Sequence, residues 1–171
     1  MSTEPPNADG LDETPETHLE GLGDAFMAAL RFREAGRADD ALAAFAAVLR
    51  TEPRLAEPRM EIARIYLEMG RLEEAEVEAR EAVRILTAGG AWTVEIPEAT
   101  LLAMAWAIVG AILKEQAASD EVVFAEDPAR FAELIAQSSA AFAKAAELDP
   151  DDTVSALNAA ELGDIDDEDP N

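Results

Sequence analysis

Glu34-Ala-Gly-Arg-Ala-Asp-Asp-Ala41 returns 34 residues later as Glu68-Met-Gly-Arg-Leu-Glu-Glu-Ala75. A fixed period of that size marks stacked helix-turn-helix units. The phrase reads as the turn inside each unit: a glycine stops one helix and a pair of acids starts the next. Upstream of its first copy, a helix is expected to start between Thr17 and Asp24 and to run to Ala35, with Gly36 ending it. The following helix starts at Asp39 or a near neighbour and reaches about Thr51, before Pro53 breaks the chain. In the second unit Pro58 suits a first helical turn, and Ile62, Ile65, Tyr66 and Met69 follow i, i+3, i+4, i+7 spacing. After Gly70, the stretch Arg71 to Leu86 turns Leu72, Ala75, Ala79, Ala82, Val83 and Leu86 inward, with Glu73, Glu74, Glu76 and Glu78 outward.

Residues 87–97 interrupt the pattern. Gly89-Gly90 breaks the helix, and Trp92, Val94 and Ile96 alternate with Thr93 and Glu95 as in extended backbone. A third pair follows. One helix is expected from Pro97 to Ala118, then a loop from Ser119 to Asp127 that carries Val122, Val123 and Phe124. The partner helix opens on Asp127-Pro128, an N-cap followed by proline, and ends near Leu148 before Pro150. A last helix is expected over 153–162, with Val154, Leu157, Ala160 and Leu162 as its apolar side and Gly163 as its stop. Residues 1–17, with Pro5, Pro6 and Pro15 among acids, read as a disordered tail, and 163–171 as an acidic tail.

The net charge is −24, and its placement is uneven. Residues 1–20 hold six acids and residues 147–171 hold ten, with no lysine or arginine in either stretch. Such a chain repels a phosphate backbone, so no nucleic-acid partner is expected. The acidic ends read first as solvated tails, with attraction of a basic partner as the other reading. The longest apolar run, Leu101 to Leu113, is 13 residues against the roughly 20 that a membrane span needs, so it reads as a buried helix. No signal segment is legible at the N-terminus, and a cytoplasmic protein is expected.

The residues now on the page resemble the tetratricopeptide repeat family, whose units place small residues and aromatics at fixed positions on two helices. In the first unit Ala29, Phe32, Gly36, Ala41, Phe45 and Pro53 fall at matching spacings; in the second, Ala63, Tyr66, Gly70 and Ala75 do. There Ala79 stands in the aromatic's place and Thr87 in the proline's. Ala140-Ala-Phe-Ala143 and Pro150 repeat Ala43-Ala-Phe-Ala46 and Pro53 at an offset of 97, which is 29 residues more than two periods of 34. The third unit is therefore an expanded repeat. The resemblance implies an all-α, right-handed solenoid of about three helical hairpins over 18–162, with repeats at about 22–55, 56–87 and 97–150 and a capping helix at 153–162. Each hairpin leaves an apolar face that only a stacked neighbour buries.

The resemblance also implies a binding module for a protein or peptide, an adaptor or scaffold, rather than an enzyme. Its concave surface is lined by the first helix of each pair, which here maps to Phe26, Leu30, Arg33, Met60, Arg64 and Leu67. The subfamily that clamps C-terminal carboxylates uses lysine and asparagine where this chain has Phe26 and Leu30. Arg33 and Arg64 fit an acidic group on an apolar peptide, or else pair with Glu34, Glu61 or Glu68. Trp92, Val94 and Ile96 form an apolar partner patch if their loop is exposed, and otherwise fold back on the core. The apolar run 101–113 must be covered on all sides. Burial within one chain predicts a monomer; a homodimer interface there is the alternative, which light scattering on a sizing column separates.

Chemistry is not expected. The chain has no cysteine and one histidine, His18, beside the acidic tail, so zinc sites and thiol or Ser-His nucleophiles lack their residues. Gly89-Gly90 lacks the strand and the lysine of a phosphate loop, and the acids of 164–169 lack the spaced ligands of a calcium loop. No catalytic residue, cofactor or metal is assigned.

Overall fold

The computed structural model describes residues 15–90, 95–119 and 127–167. They form seven helices: α1 (Pro15–Glu34), α2 (Ala38–Thr51), α3 (Glu57–Glu68), α4 (Leu72–Thr87), α5 (Glu98–Ala117), α6 (Pro128–Leu148) and α7 (Thr153–Asp167). No strand occurs among the described residues. The helices pair in chain order, α1 with α2, α3 with α4 and α5 with α6, and α7 packs on α6. Contacts of α2 with α3 and of α4 with α5 stack the hairpins into an all-α helical-repeat solenoid.

The repeated phrase is the hinge of the first two hairpins, and each of its letters has a physical task. Gly36 and Gly70 adopt φ of 70° and 72°, the left-handed conformation that ends a helix. Arg37 N donates to Phe32 O at 2.9 Å and Gly36 N to Arg33 O at 2.9 Å. Arg71 N to Tyr66 O (2.8 Å) and Gly70 N to Leu67 O (3.0 Å) repeat the pair, which is the Schellman pattern in both turns. The arginine then lies over the aromatic ring of the helix just ended, 4.6 Å from the Phe32 centroid and 4.3 Å from that of Tyr66. It pairs with an acid in the first turn of the next helix, Asp40 at 2.7 Å and Glu74 at 2.8 Å. That bond from Arg71 holds the Glu74 carboxyl below its ordinary range. Arg37 is the N-cap residue of α2, so the helix starts at Ala38 and Asp39 and Asp40 occupy its first turn.

A Cβ on Gly70 would meet no heavy atom within 4 Å. Gly70→Ala therefore isolates backbone strain from crowding. It is expected to cost about 1–2 kcal/mol, the penalty of the left-handed region for a residue with a Cβ. A melting temperature unchanged by the substitution would contradict this account of the turn.

The third unit keeps the architecture with altered residues. Its small-residue positions are filled by Gly110 and Ser138, and its aromatic by Phe142. Ser138 Oγ donates to Gly110 O at 2.7 Å, and the Phe142 ring lies directly over Gly110. These three stand where Ala29, Ala41 and Phe45 stand in the first unit, all buried in one cluster. Gly110 lies 47 residues after Ala63, against a period of 34, and Ser138 lies 28 after Gly110, against 12 in the regular units. The 29 additional residues thus divide into 13 before Gly110 and 16 after it. Longer helices absorb part of them, since α5 and α6 have 20 and 21 residues against 12 and 16 in α3 and α4.

Much of the apolar run of α5 is buried within the chain, while Leu102, Met104, Trp106, Ala107 and Ala111 stay partly exposed. Leu101, Ile108, Val109, Ile112 and Leu113 are buried in one cluster with residues of α3, α4 and α6. Asp127 caps α6 by accepting from Arg130 N at 3.0 Å, ahead of Pro128. Two of the four acids expected to face outward on α4 tie helices together instead. Glu78 accepts from Arg59 at 2.7 Å, and Glu76 accepts from Gln116 of α5 at 2.8 Å and from Arg80 at 2.6 Å. Burial raises the Glu76 carboxyl, but those two hydrogen bonds outweigh it and hold the group below its ordinary range.

Both ends correct the sequence reading. Helix α1 starts at Pro15, inside the stretch expected to be tail. Helix α7 continues through Gly163 to Asp167 rather than stopping at Leu162. Of its expected apolar side only Leu162 is buried: Val154 and Leu157 are exposed, at 67% and 59%, as is Ala160, and Ser155 is buried in their place. The cause is close packing on α6. Ser139 Oγ donates to Ala159 O at 2.9 Å, and a Cβ on Gly163 would lie 3.7 Å from the same hydroxyl. Small residues win that face because they let the helices approach. Asp152 fixes the start of α7 by accepting from Ser155 Oγ at 2.5 Å and Ser155 N at 3.0 Å, bonds that hold its carboxyl below the ordinary range.

Candidate binding groove

Stacking three hairpins sets α1, α3 and α5 side by side, because each is the first helix of its pair. Their facing surfaces enclose a groove of about 620 Å³. Phe26 and Leu30 come from α1, Met60 and Arg64 from α3, and Leu101 and Met104 from α5. Met27 and Ile96 form its exposed edges, at 49% and 38% exposure. The floor is fixed to the core: the Phe26 ring lies 5.5 Å from that of Phe45, tilted by 58°. Met60 and Leu101 are buried, so the groove is an apolar trough whose adaptable walls are methionines.

Charge enters from α3 and from the segment before α5. Glu57, Glu61, Arg64 and Glu95 line the groove. Glu61 is buried and accepts from two arginines, from Arg64 Nη1 at 2.6 Å and from Arg33 Nη1 of α1. Arg33 also lies 3.8 Å from Glu68. The two arginines read from the sequence as suited to an acidic group are thus already joined to one carboxylate, and this bridge ties α1 to α3.

Four of the six residues mapped to the concave surface, Phe26, Leu30, Met60 and Arg64, line this groove. Arg33 sits beside it, held by Glu61. Leu67 lies farther along α3 and packs against the core shared by α3–α7. Of the loop residues, Ile96 forms part of the rim, while Trp92, Val94 and Val122–Phe124 lie outside the described residues. Leu101 and Met104 were not read as groove residues. Helix α5 is apolar on all sides, so no polar face marks which side is open. Met27 was missed because it follows Phe26 directly, whereas the mapping kept one residue per turn. Among the described residues no group of histidine, cysteine, aspartate and glutamate could hold a metal ion, and no helix is long and apolar enough to cross a membrane.

Known proteins place this architecture. The tetratricopeptide repeat family matches over residues 32–91, which span the two regular copies of the phrase. No curated protein sequence matches the chain. Among solved structures, the N-terminal domain of stress-induced protein-1 (STI-1) from C. elegans is similar at a TM-score of 0.63 and 12% identity, over 85% of this chain and 97% of that one. The second tetratricopeptide domain of human RPAP3, solved with the HSP70 peptide SGPTIEEVD, is similar at a TM-score of 0.59 and 14% identity, over 88% of this chain and 98% of that one. The chain therefore matches the tetratricopeptide repeat family over 32–91, and its helical array is similar in fold to these two domains over 85% and 88% of its length.

Proposed function

We propose that this protein is an interaction module that holds a peptide segment of a partner protein in the groove between α1, α3 and α5. The observation that carries the reading is the apolar trough itself, open between Met27 and Ile96 and floored by buried Met60 and Leu101. An apolar concavity with a few fixed polar groups is the usual form of a binding site. The tetratricopeptide fold supports it, and the similar RPAP3 domain was solved with a peptide bound. Phe26, Leu30, Met60, Ile96 and Met104 would bury the ligand's side chains. Arg33 and Arg64 would shape the groove through Glu61 rather than grip the ligand. Self-association through the third unit is less well supported, because α5 finds its cover in α4 and α6.

A photoreactive residue at Met27 or Ile96 should form adducts with a discrete partner in extracts of the source cells. The same residue at exposed Val77 of α4, outside the groove, should not. Adding Leu30→Asp should abolish the adducts at both rim positions. Equal labelling from Val77, or labelling indifferent to Leu30→Asp, would remove the groove from consideration.

A further inference from the structure

We infer that the groove selects a segment carrying lysine or arginine beside its apolar side chains, and discriminates against an acidic one. This rests on the groove being the binding site. Three carboxylates, Glu57, Glu61 and Glu95, line the groove against a single guanidinium, that of Arg64. Counting Arg33, which reaches Glu61 from beside the groove, acids still outnumber bases. An acidic ligand would share the Arg64 guanidinium with buried Glu61, to which it is bonded at 2.6 Å, and would bring one more carboxylate beside the three already there. A basic ligand leaves the Arg64–Glu61 bond in place. A lysine stem can lie along Met27 and Ile96 while its ammonium stays in water beside exposed Glu95. The chain's net charge of −24 gives the same preference at long range, drawing cations toward the surface and slowing the approach of anions. The sign is opposite to that suited to SGPTIEEVD, the acidic peptide solved with the RPAP3 domain.

The test uses the full chain and two synthetic peptides that share one row of leucines and differ only in lysine or glutamate at the remaining positions. Fluorescence anisotropy reads affinity, and the methyl signals of Met27 and Met104 report occupancy of the groove. The lysine peptide should bind about tenfold or more tightly than the glutamate peptide near physiological salt and shift both methyl signals. Glu95→Lys should weaken it about fivefold or more, with Glu95→Gln in the same direction but less, whereas Glu147→Lys, at an exposed position of α6, should change it by less than about twofold. Melting curves of the three variants establish that each stays folded. Tighter or equal binding of the glutamate peptide, with Met27 and Met104 still shifting, would overturn the charge preference and leave the groove reading standing. Lysine-peptide binding that responds equally to Glu147→Lys would show diffuse attraction to an acidic surface and overturn it too. If neither peptide moves the two methyl signals, both readings fall.

Discussion

Phe45→Ala is expected to remove about 3–5 kcal/mol of stability and to lower the melting temperature by roughly 6–20 °C. Phe45 has no exposed surface and sits at the centre of the cluster formed by α1, α2 and α3, with Ala29, Ala41, Ile62 and Ile65 around it. Truncation loses the transfer energy of the ring and leaves a cavity that helices fixed by the Arg37 and Arg71 turns cannot easily close. Stacked repeats depend mainly on their neighbours, so the loss should be local at first. Hydrogen exchange should quicken in α1 and α2 under conditions where α5 and α6, in the separate larger core, remain protected. The groove should suffer with them, because Phe45 backs the Phe26 ring that forms part of its floor. A loss below about 1 kcal/mol in urea titration would mean that the first hairpin collapses around the gap, contrary to a packed interface.

That first core was legible because its signals are local. Gly36 and Gly70 sit four residues after Phe32 and Tyr66, and the alanines that face them recur at the same spacing. A reader of the sequence needs only the period to place them. The arginine of the phrase was less legible. Its ring contact and its acid partner belong to two different helices, and only the folded turn brings them together. The start of α2 was legible to within a residue, at Ala38 beside Asp39, but the pairing of Asp40 in the first turn with the N-cap residue Arg37 was not.

The third unit and α7 were read less well, and the failures share a cause. Hydropathy marks large apolar residues, but close helix contacts are made by small ones. Gly110 and Ser138 do not resemble the alanines whose positions they occupy, so the expanded unit was recognised through Ala140-Ala-Phe-Ala143 and Pro150 instead. On α7 the same bias favoured Val154 and Leu157 over Ala159 and Gly163, which lie against α6, and over Ser155, which bonds the Asp152 cap of α7. For the groove, the family resemblance, mapped by spacing, brought Phe26, Leu30, Met60 and Arg64 to one surface. The sign of its charge was not legible, because Glu61 answers both Arg33 and Arg64 only once α1 and α3 are in contact.

Gly110→Val is expected to cost about 3 kcal/mol and to lower the melting temperature by roughly 6–12 °C, through overpacking rather than a cavity. A Cβ at Gly110 would lie 2.9 Å from three carbons of the Phe142 ring. The ring is buried, and Ser138 Oγ, bonded to Gly110 O at 2.7 Å, holds the backbone of the two helices at that distance. Neither side yields without disturbing the interface of α5 and α6, the most extensive among the described helices. Gly110→Ala makes the sign informative. Helix propensity alone favours alanine by about 1 kcal/mol at a helix interior, so any net loss measures the ring contact. Phe142→Leu supplies the control. It should destabilise the native background, yet cost less in the Gly110→Val background, with a coupling of about 0.5–3 kcal/mol between the two sites. Additive effects would show that the glycine is tolerated in α5 rather than required by the ring above it. Strong coupling would identify Gly110 as the residue that lets the enlarged hairpin close, and so bring Leu101 and Met104 to the groove.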